Sequence, residues 1–182
     1  MNVSLIQNLA LLTALLLGSG SQAATYKTVV PEKSRIAFSY RQMGVGMEGQ
    51  FKKFSAQVAL DTARLEKASG RIDIDLVSVD TGSTEADQEL AGKSWFHVAA
   101  QPRASFVLQQ IRGTGAAQEV VGLLTLKGQT RELRAPLKLS PQGLLTGSLV
   151  IRRADFGIGE GMWAKFDVVA NEITVHFSLQ LQ

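Results

Sequence analysis

The chain has 182 residues, with 19 Lys and Arg against 16 Asp and Glu, and contains no cysteine. This length suits one folding domain. The lack of cysteine excludes disulfides, thiolate catalysis and lipid attachment to an N-terminal cysteine. The net charge of +3 is modest, and the basic residues are scattered without interleaved aromatic residues, so no nucleic acid is expected as a partner.

An apolar run from Leu5 to Leu17 begins the chain and is too short for a helix across about 30 Å of hydrocarbon. Ser21-Gln22-Ala23 follows, with small residues at both positions that a signal peptidase reads. We expect residues 1–23 to be a cleaved signal peptide, with cleavage after Ala24 as the near alternative. Residues 24–182 are then expected to form a single secreted domain.

The first part of that domain predicts strands interrupted by proline and glycine. Tyr26 to Val30 is a short strand candidate that Pro31 should end, because proline cannot donate to a strand ladder. From Arg35 to Leu60 apolar and polar residues alternate, which predicts one strand that is bent by three glycines: Gly44, Gly46 and Gly49. A sheet that bends can close, and a closed sheet of about eight strands either fills its interior or holds one small ligand.

The rest of the chain continues this all-β pattern. A helix is predicted near residues 84–92, with a capped and acidic first turn. The alternation of Ile173 to Leu181 is the most regular of all. Further strands are predicted at Arg71–Leu76, Ala104–Ile111, Glu119–Leu126, Glu132–Leu139 and Leu144–Arg152. About eight strands, one short helix and no βαβ repeat predict an eight-stranded antiparallel β-barrel.

Groups suited to catalysis or metal binding are scarce. His97 and His176 are the only histidines, and neither has another ligand at a zinc-type spacing. The acidic cluster from Glu85 to Glu89 has the spacing of a helix start. The glycines from Gly157 to Gly161 do not open a helix in a βαβ unit. We therefore expect no enzyme and no metal site; a hydrolase that depends on His97 is the least favoured alternative.

Large aromatic and methionine side chains are numerous for one small barrel. They could pack a filled core, or they could line a site for an apolar ligand, since methionine and aromatic residues adapt to such partners. The residues expected to face inward and contact a ligand are Phe38, Tyr40, Met43, Met47, Phe51, Ile74, Leu76, Trp95, Phe106, Leu108 and Trp163.

Several short motifs also occur along the chain in a characteristic order. They are Gln42-Met43-Gly44-Val45, Gly49-Gln50-Phe51-Lys52-Lys53-Phe54, Val79-Asp80-Thr81-Gly82, Trp95-Phe96, Pro102-Arg103-Ala104-Ser105-Phe106, Leu124-Thr125-Leu126-Lys127-Gly128 and Asp155 to Trp163. Together they resemble the YceI-like family of bacterial periplasmic proteins. The resemblance implies a lipocalin-like barrel whose apolar tunnel holds a polyisoprenoid or a similar long-chain amphiphile. Many members carry His where this chain has Gln42.

The leading hypothesis is a periplasmic protein that binds and transports a polyisoprenoid, a quinone or a fatty-acid-like amphiphile. No cofactor is expected other than such a bound isoprenoid or quinone-type lipid. The alternative is a non-catalytic interaction module that acts with an inner-membrane cytochrome b561-type protein or a stress-response partner. A homodimer is left open.

Overall fold

The computed structural model of the protein describes residues 23–114 and 118–182. The predicted signal peptide lies outside the described residues, except for its last residue, Ala23. Within the described ranges, no helix has both the length and the apolar character that crossing a membrane requires.

The described residues form ten strands, one α-helix and four short 3-10 helices. The strands are β1 Thr25–Gln42, β2 Val45–Phe51, β3 Phe54–Asp61, β4 Ser69–Asp75, β5 Val79–Asp80, β6 Arg103–Arg112, β7 Gln118–Leu126, β8 Gln129–Leu139, β9 Leu144–Arg152 and β10 Glu172–Leu181. Helix α1 spans Thr84–Ala91. The 3-10 helices span Leu65–Lys67, Leu76–Ser78, Arg153–Phe156 and Gly161–Trp163.

Eight of the strands close into an antiparallel barrel. Their order is β10-β9-β8-β7-β6-β4-β3-β1, and pairing between β1 and β10 completes the ring. The N-terminal part of β1 pairs with β3, while its C-terminal part pairs with β2, which in turn pairs with the two-residue β5. The predicted eight-stranded antiparallel, lipocalin-like barrel is confirmed. The predicted helix is also present and begins after Ser83, whose hydroxyl accepts a hydrogen bond from the Ala86 amide.

Pro31 does not end the first strand, so this prediction was wrong. Strand β1 continues through it for 18 residues, with a register shift against β10 between Val30 and Arg35. At this irregularity the Ser34 hydroxyl donates to the Val30 carbonyl at 2.7 Å and accepts from the Gln180 amide at 2.9 Å. A side chain therefore replaces ladder bonds where proline cannot donate, which is why an irregular point of a strand tolerates it.

The single bent strand expected between Arg35 and Leu60 is in fact a hairpin followed by a third strand. Met43 and Gly44, with φ of 50° and 81°, form the two-residue turn from β1 to β2. This conformation matches the twist of a β-hairpin and favours glycine. A two-residue turn leaves the alternation of apolar residues almost unbroken, so the pattern alone could not distinguish a reversal from a bend.

Segments outside the strands plug one end of the barrel, which we call the helix end. Residues 92–101 and 157–160 are joined there, since the Ser94 carbonyl accepts from the amides of Gly159 and Glu160. The main cluster of buried apolar side chains includes Leu76, Val79, Trp95, Phe96, Phe156, Ile158 and Val169. Much of this buried cluster therefore lies at the helix end.

Candidate ligand-binding cavity

A cavity of about 640 Å³ occupies the barrel interior. Each of the eight barrel strands contributes to its lining, and the lining is predominantly apolar. Strand β10 presents every second residue to it: Ile173, Val175, Phe177, Leu179 and Leu181. At about 3.3 Å per residue, these positions span roughly 26 Å of strand. The cavity is thus elongated, and its volume falls within the range of sites for small organic ligands, about 300–1,000 Å³.

Glycines help to keep this cavity wide. Three phenylalanine rings of the lining each lie over a glycine of a neighbouring strand: Phe38 over Gly49, Phe106 over Gly122 and Phe177 over Gly147. A Cβ atom on any of the three glycines would lie 2.2 or 2.3 Å from the ring above it. Each ring therefore occupies the space that a side chain would fill if the glycine were replaced. The aromatic side chains can thus lie close to the backbone and leave the centre of the cavity wider.

At the helix end the lining becomes polar. Gln42, Ser83, Glu85 and Glu89 join it there, although α1 itself has no buried residue. The Trp163 indole nitrogen donates to Glu89 Oε1 at 2.8 Å. The helix is thus tied to the segment that contains Trp163, and this end of the cavity carries two carboxylates.

Arg153 is buried beside this polar end, with 1% of its surface exposed. Its five N–H groups face six backbone carbonyls within hydrogen-bond distance, with three of these carbonyls around the two protons of Nη2. The six carbonyls are those of Ile158, Gly159, Trp163, Lys165, Val169 and Ala170. The guanidinium also lies 5.5 Å from the Trp95 ring centre and 5.0 Å from that of Phe166. Burial lowers the pKa of Arg153. Arginine nevertheless remains charged, so this cation organises the segment from Phe156 to Ala170.

Trp95 and Tyr40 place polar atoms among the aromatic residues of this end. Trp95 is 6% exposed, and its ring centre lies 5.5 Å from that of Trp163. Among the described residues, its Nε1 is the one buried side-chain nitrogen or oxygen without a hydrogen-bond partner. Burial, followed by the charge of Asp87, raises the pKa of Tyr40 above its ordinary value.

Eight of the residues expected to face inward line the cavity: Phe38, Tyr40, Phe51, Ile74, Trp95, Phe106, Leu108 and Trp163. Their contact with a ligand stays a prediction. Three others do not line the cavity, and their contact with a ligand likewise stays a prediction. Met43 is 76% exposed at the hairpin tip, and Met47 lies on β2, outside the eight-stranded ring and the lining. Leu76 is buried in the plug, because β4 ends at Asp75 and a 3-10 turn redirects the chain.

The sequence-based selection missed two kinds of lining residue. It favoured aromatic and methionine residues and so omitted most aliphatic ones, such as Leu124, Leu133 and Leu149. It also omitted Arg153, which continues the inward phase of Leu149 and Ile151. Period-two alternation, applied to every strand, would have identified both kinds.

The two histidines lie apart from any cluster of metal ligands. His176 is exposed, and its Nε2 lies 3.1 Å from the Ser39 hydroxyl. His97 has a φ of 53°, and its carbonyl accepts hydrogen bonds from the amides of Ala100 and Gln101, so its backbone shapes the turn after α1. Within the described ranges, no three His, Asp or Glu side chains are arranged to hold a metal ion.

Comparison with known proteins agrees with this architecture. The model of the YceI-like domain matches residues 27–181. A UPF0312 protein of Yersinia pestis is 30% identical over 135 residues, which cover 72% of this chain and 70% of the relative. A UPF0312 protein of Pseudomonas paraeruginosa is 28% identical over 161 residues, covering 82% of this chain and 84% of the relative.

Solved structures share the barrel. BcnA of Burkholderia cenocepacia superposes with a TM-score of 0.80 at 36% identity, covering 83% of this chain and 98% of BcnA. A polyisoprenoid-binding domain of Saccharophagus degradans gives a TM-score of 0.62 at 18% identity, covering 86% of this chain and 97% of that domain. The family model spans nearly all the described residues, and the barrel superposes on these folds. This chain belongs to the YceI-like family.

Proposed function

We propose that this protein is a periplasmic carrier that holds a long-chain apolar ligand inside its barrel. The ligand class is a polyisoprenoid, a quinone or a fatty-acid-like amphiphile. The observation that carries the proposal is the elongated cavity of about 640 Å³, lined by apolar side chains from all eight barrel strands. A structural neighbour of the same fold is a polyisoprenoid-binding domain, which supports this ligand class.

The chemistry of the lining suffices for such a role without a catalytic group. Burial of a methylene group contributes about 0.8 kcal/mol, so about ten methylenes contribute roughly 8 kcal/mol before the costs of ordering the ligand. A ligand with more methylenes gains proportionally more, which offsets those costs. A slender ligand would gain this energy along the length of the cavity.

Two substitutions on adjacent residues of β6 test the proposal. Leu108 faces the cavity, whereas the neighbouring Val107 faces outward and is 36% exposed. Leu108→Trp should fill part of the cavity and reduce the amount of bound lipid, whereas Val107→Trp should leave it unchanged. The protein is purified from the periplasm, and a denaturing organic extract is analysed by mass spectrometry. A wild-type extract that repeatedly contains no lipid would contradict the carrier role.

A second role, docking on an inner-membrane protein of the cytochrome b561 type, is favoured by a cluster of exposed apolar side chains. Among the residues that the structure describes, eight large apolar side chains are exposed, and five of them lie on the β1–β2 hairpin and residues 162–168: Met43, Val45, Met162, Phe166 and Val168. The Met43 amide donates to the Val168 carbonyl at 2.8 Å, so the two segments adjoin. This surface also suits a homodimer.

Crosslinking in membranes separates this role from lipid carriage. Met162 is 86% exposed within the cluster, whereas Val150 is 55% exposed on the outer face of β9. Met162→Ser should reduce capture of the cytochrome b561-type protein and leave the extracted lipid unchanged, and Val150→Ser should alter neither. Equal capture by wild type and both variants would contradict docking through this cluster. Gel filtration of wild type and Met162→Ser tests the homodimer. If the cluster forms the dimer interface, wild type should elute as a dimer and Met162→Ser should shift towards the monomer.

A further inference from the structure

Strands β8 and β9 are paired along only part of their length. Residues 137–139 of β8 pair with residues 145–147 of β9. On its other side each of these strands is paired over nine residues, β8 with β7 and β9 with β10. Both strands lie wholly within the described residues, yet no ladder pair joins residues 129–136 of β8 to residues 148–152 of β9. The two strands therefore part where β9 approaches the 3-10 helix Arg153–Phe156.

The sequence of β8 opposes closure of this stretch. Pro136 stands where the pairing stops, and proline has no amide proton to donate to a ladder. Along the unpaired run, Arg131, Glu132 and Arg134 are exposed. Proline and charged side chains are two means by which proteins keep a strand edge from pairing with another strand. The parted stretch is therefore maintained by the sequence and is a poor template for an added peptide strand.

The seam between β1 and β3 is also short, with three pairs. There, however, only residues 54–56 of β3 lie beyond the pairing. Residues 148–152 of β9, at about 3.3 Å per residue, span roughly 16 Å. The gap between β8 and β9 is thus the longer of these two.

Apolar side chains fill the wall where β8 and β9 part. Leu133, Leu149 and Ile151 line the main cavity from these two strands. On the outer side of the same stretch lies a surface pocket of about 470 Å³, whose lining includes Leu133, Ile151 and Phe156. Leu133 and Ile151 thus line both the cavity and the outer pocket. Side chains, rather than a hydrogen-bonded ladder, separate the two spaces here.

We propose that the apolar chain of the ligand enters and leaves the barrel between β8 and β9, past Leu133 and Ile151. This inference rests on the proposed carrier function and adds the route by which that cavity is filled. Passage through a paired seam would break ladder hydrogen bonds, and each group left unpaired costs free energy. Passage between β8 and β9 requires only that side chains and two unjoined strand edges move apart.

A covalent bridge across the gap tests the route. The chain has no cysteine, so a pair of introduced cysteines is the only site for a thiol-specific bridge. Arg134→Cys with Val150→Cys places two thiols on exposed residues of the parted strands. A flexible bis-maleimide joins them without the narrow distance that a disulfide needs. The matched control, Val150→Cys with Thr174→Cys, joins β9 to β10 at two residues that already pair.

Stopped-flow transfer to phosphatidylcholine vesicles measures release of two probes, a fluorescent fatty acid and a fluorescent farnesyl compound. The reference for each double variant is the same protein with both thiols capped by N-ethylmaleimide. Bridging positions 134 and 150 should slow release about tenfold or more and leave the dissociation constant unchanged, because the strands can no longer separate. Bridging positions 150 and 174 should alter neither.

Truncation of a side chain at the gap provides a second measure. Leu133→Ala should raise the association rate several-fold, whereas Leu124→Ala should not. Both residues line the cavity and are partly buried against the same core cluster, but Leu124 lies on β7, which is paired on both sides. Loss of ligand contacts is therefore similar in the two variants, and only access differs.

Two results would overturn the route. Equal release from the bridged and capped protein at positions 134 and 150 shows that the ligand passes elsewhere, such as the plugged end or the seam of β1 and β3. Equal association rates for Leu133→Ala and Leu124→Ala show that Leu133 does not limit entry. In both cases binding of the probes leaves the carrier function intact. Wild type that binds neither probe contradicts the carrier function and the route together.

Discussion

Trp163 Nε1 and Glu89 Oε1, which lie 74 positions apart in the chain, are joined by a hydrogen bond of 2.8 Å. This contact links α1 to the 3-10 helix Gly161–Trp163 at the helix end of the cavity. No residue of α1 is fully buried, but Leu90 packs against the core and Asp87 accepts hydrogen bonds from the amide and hydroxyl of Thr81, so the bond to Trp163 adds to these contacts. The bond is well placed to control how readily this end opens.

Trp163→Phe should therefore speed the release of a bound lipid. Loss of one hydrogen bond in a partly exposed position is expected to raise the dissociation rate about two- to tenfold. Glu89→Gln keeps an acceptor oxygen and should retain most of the slow release. Stopped-flow transfer of a fluorescent fatty acid to acceptor vesicles measures both rates. Identical rates for wild type and Trp163→Phe would show that the bond does not limit opening.

The ring-over-glycine pairs predict a strong dependence of stability on Gly147. A Cβ there would lie 2.2 Å from Phe177 Cζ and 2.4 Å from the Pro136 carbonyl oxygen, and a backbone atom cannot rotate away. Gly147→Ala should lower the free energy of unfolding by about 1–3 kcal/mol, the usual cost of overpacking. The control is Gly46→Ala, because nothing lies within 4 Å of its Cβ position.

Gly46→Ala should be neutral or stabilise the protein by up to about 1 kcal/mol, since alanine has less conformational freedom to lose on folding. Urea unfolding of the three proteins measures the difference. A Gly147→Ala variant as stable as Gly46→Ala would show that the backbone of β8 and β9 yields at this point.

The sequence predicted the closed barrel because the period of two along strands such as β10 reports directly which side chains face inward. Prediction from the sequence failed where the path of the backbone depends on a few residues. The turn at Met43 and Gly44 preserves the phase of alternation, so a reversal looked like a bend. No sequence pattern marks Arg153 as the centre of six carbonyl contacts, because those carbonyls belong to the backbone of a segment outside the strands, whose path the side-chain pattern does not report. The cavity also depends on cross-strand packing of phenylalanine rings over glycines, and linear spacing does not show which residues lie side by side on neighbouring strands.

The stability of the barrel should depend on pH through Asp73. Arg71 donates two hydrogen bonds to this carboxylate, at 2.7 and 2.6 Å, and they lower the pKa of Asp73. A carboxyl whose pKa is lower in the folded state stabilises the fold above its unfolded pKa, near 3.9, and loses this effect as the pH falls through the folded value. The difference in free energy of unfolding between wild type and Asp73→Asn should thus be constant from about pH 8 to 5 and shrink below about pH 4.

Chemical unfolding across this pH range measures that difference. Arg71→Met removes the same interaction from the other side and should remove the same pH dependence. A difference between wild type and Asp73→Asn that persists unchanged to acidic pH would contradict this account.

Arg153 is 1% exposed, and its guanidinium contacts six carbonyls of the segment from Ile158 to Ala170. Arg153→Lys keeps the charge but offers three donors on one nitrogen, so several buried carbonyls lose their partner. At about 1–3 kcal/mol for each unpaired buried group, the free energy of unfolding should fall by at least about 2 kcal/mol. The neighbouring Arg152 is exposed, so Arg152→Lys should change the free energy of unfolding by less than about 0.5 kcal/mol. Urea unfolding and hydrogen exchange of the amides of residues 158–170 measure both effects. Equal protection of these amides in the two variants would show that the segment holds its shape without the guanidinium.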